Sequence, residues 1–372
     1  VTWLKIRLIR KKINMFDKKV LIVIPIFKGK EYLPDLLSTL DEITYPKDLY
    51  KVVIWDDVSP DDTFEVLREM IGKLKYPEQI LARRASMNGG FCVNSNRGLR
   101  QAVEENYDYV YLLNQDVGVH KDFIQPLVEA MENDQTIQTA QSKILYFGDH
   151  SKINSRGNYY HYLGFGYAGG NLETDNLSDD IREIAYPSGA GVMIRCAWLK
   201  KIGFLEEYLW MYHEDVYLGL LTWYAGGRNV LVPKSEIYHK YTFNSSMSRL
   251  DFMERNRWLT MLWFYRWPTL ILIFPAFVGM ELGQWLYAIM RGWTGKKWKA
   301  VKFFFSLKNW REFLAIRKRI QALRQRSDRK VLYHWAVGVI NHQEINNPIL
   351  KYVANPCFAA YWWIVKNVFL WW

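Results

Sequence analysis

From Lys19 to about residue 135, short hydrophobic runs alternate with polar stretches of helical spacing. Val20 to Ile24 is a β-branched run closed by Pro25, and Val52 to Trp55 is a second, ending in Asp56-Asp57. Runs this short and this uniformly apolar predict strands buried on both faces. Between and after them the spacing predicts helices over 31–40, from Asp61-Asp62 through Met70, and from Gly89-Gly90 to about Glu105. Acids at 61 and 62 suit the positive end of a helix. Tyr109 to Leu113 reads as another strand, ending at Asn114-Gln115-Asp116. The alternation predicts an α/β fold, a doubly wound and mostly parallel sheet with ligands beyond the carboxyl ends of its strands. Asp56, Asp57 and Asp116 all fall at such ends.

Beyond residue 135 the pattern changes. Residues 140–185 hold Tyr159, Tyr160, Tyr162, Phe165 and Tyr167 among many glycines, and read as an irregular insertion able to line a cleft. Ser188 to Ile194 predicts a tight turn into a buried strand. One helix is expected to end over 199–203, and another to run from Glu214 to about Tyr224, stopped by Gly226-Gly227. Pro268 to Met290 is apolar apart from Glu281 and Gln284, which meets the roughly 20-residue length needed to cross a bilayer. Pro275, Gly279 and Gly283 equally permit a bent, re-entrant or in-plane course. Val353 to Trp372, with Trp362, Trp363, Trp371 and Trp372, has the composition of a membrane interface. Val1 to Phe16 mixes apolar and basic residues, as in a short amphipathic helix or a frayed tail. Charge breaks it too often for the apolar region of a signal peptide. The expected organisation is a basic segment over 1–18, an α/β domain over 19–258, and a helical, aromatic-rich, membrane-associating region over 259–372.

Composition sharpens this picture at three points. Aromatic residues make up 16% of the chain, with Trp 17 and Tyr 24; such rings suit sugars and membrane interfaces, because each joins an apolar face to a polar handle. Cys92, Cys196 and Cys357 are too far apart for a zinc knuckle or a disulfide framework and suit a reducing compartment. Between Lys296 and Lys330 thirteen Lys or Arg face only Glu312 and Asp328, which accounts for the whole net charge of +11. One segment, bracketed by apolar Trp-rich stretches, therefore carries the entire excess. That context favours an anionic leaflet over nucleic acid. A single crossing by 268–290 would put these charges on the far side from the α/β domain, against the positive-inside tendency.

Six ordered motifs carry a resemblance: DDVSPDDT (56–63), NGGFCVNSNRGL (88–99), LLNQDV (112–117), SGAGVMI (188–194), MYHEDVYLGL (211–220) and IYHKYTF (237–243). From about Val20 to Asn256 the chain resembles the inverting family 2 glycosyltransferases, especially their rhamnosyltransferase-like branch. The resemblance implies a GT-A fold that binds a nucleoside diphosphate-sugar, with a divalent cation (Mg²⁺ or Mn²⁺) as cofactor. A strand-end carboxylate can accept hydrogen bonds from a nucleobase or ribose, so either Asp56 or Asp57 could serve, and the resemblance favours Asp57. Both could instead cap the following turn. Asn88, Gly89 and Gly90 form a turn whose missing side chains would let backbone approach a ligand. The resemblance adds Pro25, Phe27, Asn94, Asn114, Gln115 and Gly189 to the nucleotide-sugar site. It makes Asp116 and His239 the metal ligands and Asp215 the catalytic base. Glu214 then orients the acceptor or caps the helix, since neighbouring helical residues point about 100° apart. Trp210, Tyr212 and His213 would shape the acceptor platform, with core packing as the alternative. Asn114, Tyr217 and Leu221 depart from the Asp, Asp and Arg that relatives often carry, so metal affinity and sugar preference are expected to differ from the common pattern.

Other classes fit less well. Ile24 to Gly29 offers no GxGxxG after the first strand, which speaks against a dinucleotide-binding oxidoreductase. A hydrolase needs paired carboxylates across a scissile bond and leaves the Gly-Gly turn unexplained. A non-catalytic, membrane-bound nucleotide-sugar or glycan-binding protein is the remaining rival. The expected partners are a nucleoside diphosphate-sugar donor, a glycan or lipid-linked acceptor and a membrane surface, but no nucleic acid. A homo-oligomer is compatible with this reading. The expected location is the cytoplasmic face of the membrane.

Overall fold

The computed structural model describes residues 17–176, 178–241, 249–340 and 348–372. The basic amphipathic N-terminal segment and the last two residues of the 237–243 motif lie outside the described residues. Along the chain run β1 (Val20–Ile26), α1 (Leu33–Asp41), β2 (Tyr50–Asp56), α2 (Thr63–Ile71), β3 (Ile80–Arg84), α3 (Gly90–Glu104) and β4 (Tyr109–Leu113). Next come β5 (Val117–Val119), α4 (Ile124–Asn133), β6 (Ile137–Tyr146), β7 (Asp149–Ser155), β8 (Asn158–His161), β9 (Gly166–Ala168), β10 (Arg182–Glu183) and β11 (Gly191–Arg195). They are followed by α5 (Cys196–Ile202), α6 (Glu214–Tyr224) and β12 (Arg228–His239).

Among the described residues ten strands form one sheet, in the order β10-β12-β6-β11-β4-β1-β2-β3, with β5 on β12 and β7 on β6. Strands β1 to β4 pair in parallel, as their helical crossovers require. The other half is mixed: β11 lies antiparallel to both β4 and β6. The sheet is therefore less parallel than the alternation pattern predicts, because between β6 and β11 the chain returns through short strands rather than through a crossover helix. That also corrects the expected irregular insertion. Residues 140–185 hold most of β6 together with β7 to β10, and the glycines other than Gly166 fall between these strands.

Alternation within a strand splits the core. In β1, Val20, Ile22, Ile24 and Ile26 join the layer under α1 and α4, while Leu21 and Val23 face the layer under α3 and α6. The second layer is continuous with the carboxyl-terminal helices: α7 (Leu250–Phe264), α8 (Trp267–Met290), α9 (Thr294–Lys302), α10 (Leu307–Leu323), α11 (Asp328–Trp335) and α12 (Asn355–Ile364). Between α11 and α12, the two-residue β13 (Ala336–Val337) pairs with β8.

The basic run over 296–330 is divided in the folded chain. Lys297 is buried between Glu254 and Glu281 at 2.9 and 2.8 Å. Arg319 pairs with Glu206, and Arg324 pairs with Asp328 at 2.7 Å. Lys297 and Arg324 are buried, and a buried charge persists only when paired, whereas Arg319 is half exposed. Lys302, Lys308, Arg311 and Lys318 stay on the exterior.

Candidate active site

The parallel strands end on one rim, where Asp56-Asp57 and Asn114-Gln115-Asp116 lie. The amide of Asn114, just past β4, donates to the carbonyl of Ala190 at 3.2 Å. The neighbouring Gly189 donates its amide to the carboxylate of Asp215. A Cβ placed on Gly189 would stand 3.8 Å from both the Asp215 Cβ and Glu214 Oε1. The 114–116 strand end, the 188–190 turn and the start of α6 are thus one continuous wall.

Glu214 and Asp215 occupy the first turn of α6. Asp215 also accepts the Val216 amide at 2.7 Å, whereas Glu214 Oε2 is enclosed without a partner. Burial lifts both carboxyls well above the ordinary carboxylate range. Repulsion from Asp215 adds to the rise at Glu214, while the Val216 and Gly189 amides partly offset it at Asp215. Asp215 is accordingly the more easily ionised of the two.

The approach to α6 is strained. Trp210, Tyr212 and His213 take φ of 65°, 65° and 67°, left-handed conformations that disfavour L side chains and cost on the order of 1–3 kcal/mol each. Asn256 and Arg255 on α7 hold this loop. Asn256 Nδ2 donates to the carbonyls of Leu209, Met211 and Tyr212 at 3.0, 2.8 and 2.8 Å. Arg255 donates to the Leu209 carbonyl at 2.7 Å and to Asn256 Oδ1 at 2.8 Å. The Trp210 indole stacks on Phe252, with ring centres 5.0 Å apart. It also lies against Gly90, whose φ is +76° and where an added Cβ would come within 2.5 Å of the indole. The His213 Nδ1 has no partner, and burial, with the nearby Arg257 charge, lowers its pKa to about 3. The ring is neutral.

Several predicted nucleotide-site residues have their side chains turned inward. Asp56 accepts the Ser59 amide and hydroxyl and lies 3.4 Å from Arg84. Asp57 accepts the amides of Gly89 and Gly90 at 3.0 and 2.8 Å and pairs with Arg97 at 3.2 Å. Asn94 donates to the Trp55 carbonyl at 2.7 Å, and Asn88 to the Asp57 carbonyl at 2.8 Å. These groups shape the turn rather than project from it. Pro25 is paired with Trp55 inside the sheet, and Phe27 stands exposed at the rim. Gln115 Oε1 accepts the Phe27 amide at 2.9 Å, bracing the end of β1. Asn114 Oδ1 is enclosed and unpartnered.

Asp116 and His239 come together across the β5–β12 pairing, with Asp116 Oδ1 3.4 Å from His239 Nε2. On the other edge of the ring, His239 Nδ1 is 2.9 Å from Asn154 Oδ1. An amide oxygen can only accept, so Nδ1 carries the proton and Nε2 presents its lone pair beside the carboxylate. A carboxylate and an imidazole nitrogen with its tautomer fixed from behind fit a divalent cation. No cluster of three or more such ligands occurs among the described residues. Two protein ligands suit a hard cation that takes the rest of its shell from phosphate and water.

Sequence reasoning missed three residues of this framework. Arg97 stood inside a quoted motif, and Asn256 closed the resembling stretch, so both had a signal. Asn154 had none, because nothing in the sequence says that β7 backs onto β12.

Residues 21–203 match the family described as glycosyl transferase family 2. Over 124 residues the chain is 29% identical to a dolichol-phosphate mannosyltransferase of Pyrococcus furiosus, covering 32% of each. Over 98 residues it is 28% identical to a poly(ribitol-phosphate) β-glucosyltransferase of Bacillus spizizenii, covering 26% of this chain and 15% of that one. The matches thus span about a third or less of these relatives' own lengths. Among solved structures, GalNAc-T7 with UDP, GalNAc and Mn²⁺ superposes with a TM-score of 0.53 at 16% identity, over 65% of this chain and 47% of that one. At that identity the likeness shows the fold alone, which is GT-A.

Proposed function

We propose that the chain, whose residues 21–203 match glycosyl transferase family 2, transfers a glycosyl group from a nucleoside diphosphate-sugar to an acceptor hydroxyl, with inversion and with Asp215 as base. The observation that carries this reading is the single wall joining Asn114, Ala190, Gly189 and Asp215. It sets a carboxylate of raised pKa beside the strand end that holds Asp116. The unpartnered Glu214 Oε2, His213 Nδ1 and Asn114 Oδ1 in the same region are polar atoms for which a bound saccharide would supply partners.

In the proposed step the acceptor oxygen attacks the anomeric carbon and its proton passes to Asp215. The bond to the diphosphate breaks, and its electron pair leaves with the nucleoside diphosphate. A carboxylate base must be ionised yet basic enough to take a proton, and burial opposed by two amide donors gives Asp215 that balance. Gly189 holds it in place while Glu214, the more readily protonated, orients the acceptor. Asp116 and His239 would hold a divalent cation, whose contribution is to offset charge on the diphosphate.

Relatives named for dolichol phosphate and poly(ribitol phosphate) support a lipid-linked or polymeric acceptor, and exposed apolar helices support work at a membrane face. Rhamnose is the first donor to test, followed by uridine- and guanosine-linked hexoses. The test is nucleoside diphosphate release from a donor panel with Mg²⁺, Mn²⁺ or EDTA, with and without membrane glycolipid extract. Metal-dependent release from one donor, lost in Asp215→Asn, supports the reading. Donor binding with equal turnover by wild type and Asp215→Asn would favour a non-catalytic binding protein instead.

A further inference from the structure

Helix α8 is 24 residues long and apolar, about 36 Å at 1.5 Å per residue, enough to cross a bilayer by length. Its two faces differ. Thr269, Ile273, Ala276, Met280 and Ala288 are buried against the protein. The opposite stripe carries Ile271, Phe274, Val278, Leu282, Leu286 and Ile289, with Ile271 at 70% and Leu282 at 62% exposure. No charged residue lies on that stripe, since Glu281, the only one in the helix, points inward to Arg257 and Lys297.

The buried face is tied to the enzyme body along much of its length. Near the start, Thr269 hydrogen-bonds Asp328, and the Leu272 carbonyl accepts from Tyr361 at 2.5 Å. Two turns further on, Glu281 accepts from Trp258 at 3.0 Å, and Gln284 donates to Glu254 at 3.1 Å. Trp258 and Glu254 belong to α7, the helix whose Asn256 holds the loop before Asp215. A helix bound side-on to α7, α11 and α12, which share one core layer with α3 and α6, cannot stand upright in a bilayer without drawing those helices and their polar surface into hydrocarbon.

The apolar surface also has a cationic border. Beyond α8, exposed Trp298, Phe305, Leu307 and Leu314 alternate with exposed Lys302, Lys308, Arg311 and Lys318. Exposed Trp363, Val368 and Trp371 extend the surface past α12, beside Lys366. Exposed rings, aliphatic side chains and cations arranged this way match a phospholipid leaflet, with tails under the rings and anionic headgroups against the lysines. A cavity of about 480 Å³ between α7, α8 and α10, lined by Leu270, Phe274, Phe277, Phe304 and Trp310, shares residues with this surface.

We infer that α8 lies in the plane of an anionic leaflet, its Ile271–Ile289 stripe immersed and the α9–α10 cations on the headgroups, so that the chain docks on one face without crossing. This rests on the proposed membrane-face reading and gives it a surface and an orientation. The test uses the full chain with sealed vesicles of phosphatidylcholine alone or mixed with phosphatidylglycerol. Wild type is expected to pellet with the mixed vesicles and to be released by salt. Phe274→Asp with Leu282→Asp should cut binding about tenfold or more, and each of Lys302→Gln and Lys308→Gln about fivefold. In a Cys357→Ser background, Arg266→Cys and Arg291→Cys mark the two ends of α8. Both should react with an impermeant maleimide added outside bound vesicles.

Protection of one end until detergent is added would overturn the in-plane arrangement. Vesicle binding unchanged in the double Asp variant, or no wild-type binding, would overturn the leaflet as occupant. Conversion of a dimer to a monomer by the same variant would assign the stripe to a second copy of the chain instead. Nucleoside diphosphate release in detergent separates these failures from failure of the transferase reading, since none of the substituted residues touches the Asp215 wall.

Discussion

The side-chain amide of Asn256 donates to the carbonyl of Tyr212 at 2.8 Å, so a helix outside the α/β sheet holds the strained residue three positions before Asp215. Asn256→Ala removes the donor shared by three carbonyls and should lower kcat about 10- to 100-fold, with donor KM little changed. It should also cost roughly 1–3 kcal/mol of stability. Asn256→Asp should be worse than Ala, because it sets a carboxylate against those carbonyls. Steady-state kinetics and thermal melts of both variants check the order.

Asp215→Asn keeps the shape of the proposed base and removes its proton affinity. Transfer should fall about 10²- to 10⁴-fold while donor binding, read by calorimetry, stays near wild type. A loss of binding equal to the loss of rate would assign Asp215 a binding role.

The raised pKa of Asp215 fixes the direction of the pH dependence. The proposed transfer needs the ionised form, so kcat should fall with decreasing pH through a limb lying above the ordinary Asp value of 3.8. Stability has the opposite sign. Between the unfolded values and the raised folded values of Glu214 and Asp215 the folded chain binds more protons, so stability decreases as pH rises through that window. Glu214→Gln should therefore melt a few degrees higher than wild type at pH 8, with the difference gone near pH 4. Melting curves at the two pH values decide it.

Asn154→Ala frees the His239 ring to rotate and change tautomer. Mn²⁺ affinity in the presence of a nucleoside diphosphate should drop about 10- to 100-fold, measured by electron paramagnetic resonance of unbound Mn²⁺. His239→Ala should reduce it further. An unchanged Mn²⁺ titration in both variants would remove His239 from the cation site.

Gly90→Ala combines a φ of +76° with a Cβ driven into the Trp210 indole. A loss of about 1–3 kcal/mol is expected, together with a weaker response to acceptor, because Trp210 must move. Tryptophan fluorescence and melting temperature report both effects.

Residue order alone settled the α/β half of the fold, because β1, β2 and β4 are continuous β-branched or aromatic runs whose two-sided burial shows in their composition. It also brought Asp116 forward, at a strand end that local pattern can locate, whereas Asp215 and His239 came forward through the family resemblance. It did not determine how the sheet continues, because β6 and β7 pair as a hairpin and β11 pairs antiparallel with β6 and β4 across long connections that carry no crossover signature. Nor could it say that Asp57 spends its carboxylate on Gly89, Gly90 and Arg97, or that Asn154 backs His239, since those contacts join residues 32 to 85 positions apart. The basic segment shows the same division. Its charge is legible in the chain, but which lysines pair inward and which face outward is decided only when α7, α8 and α9 pack and leave a buried cation no alternative to a carboxylate partner.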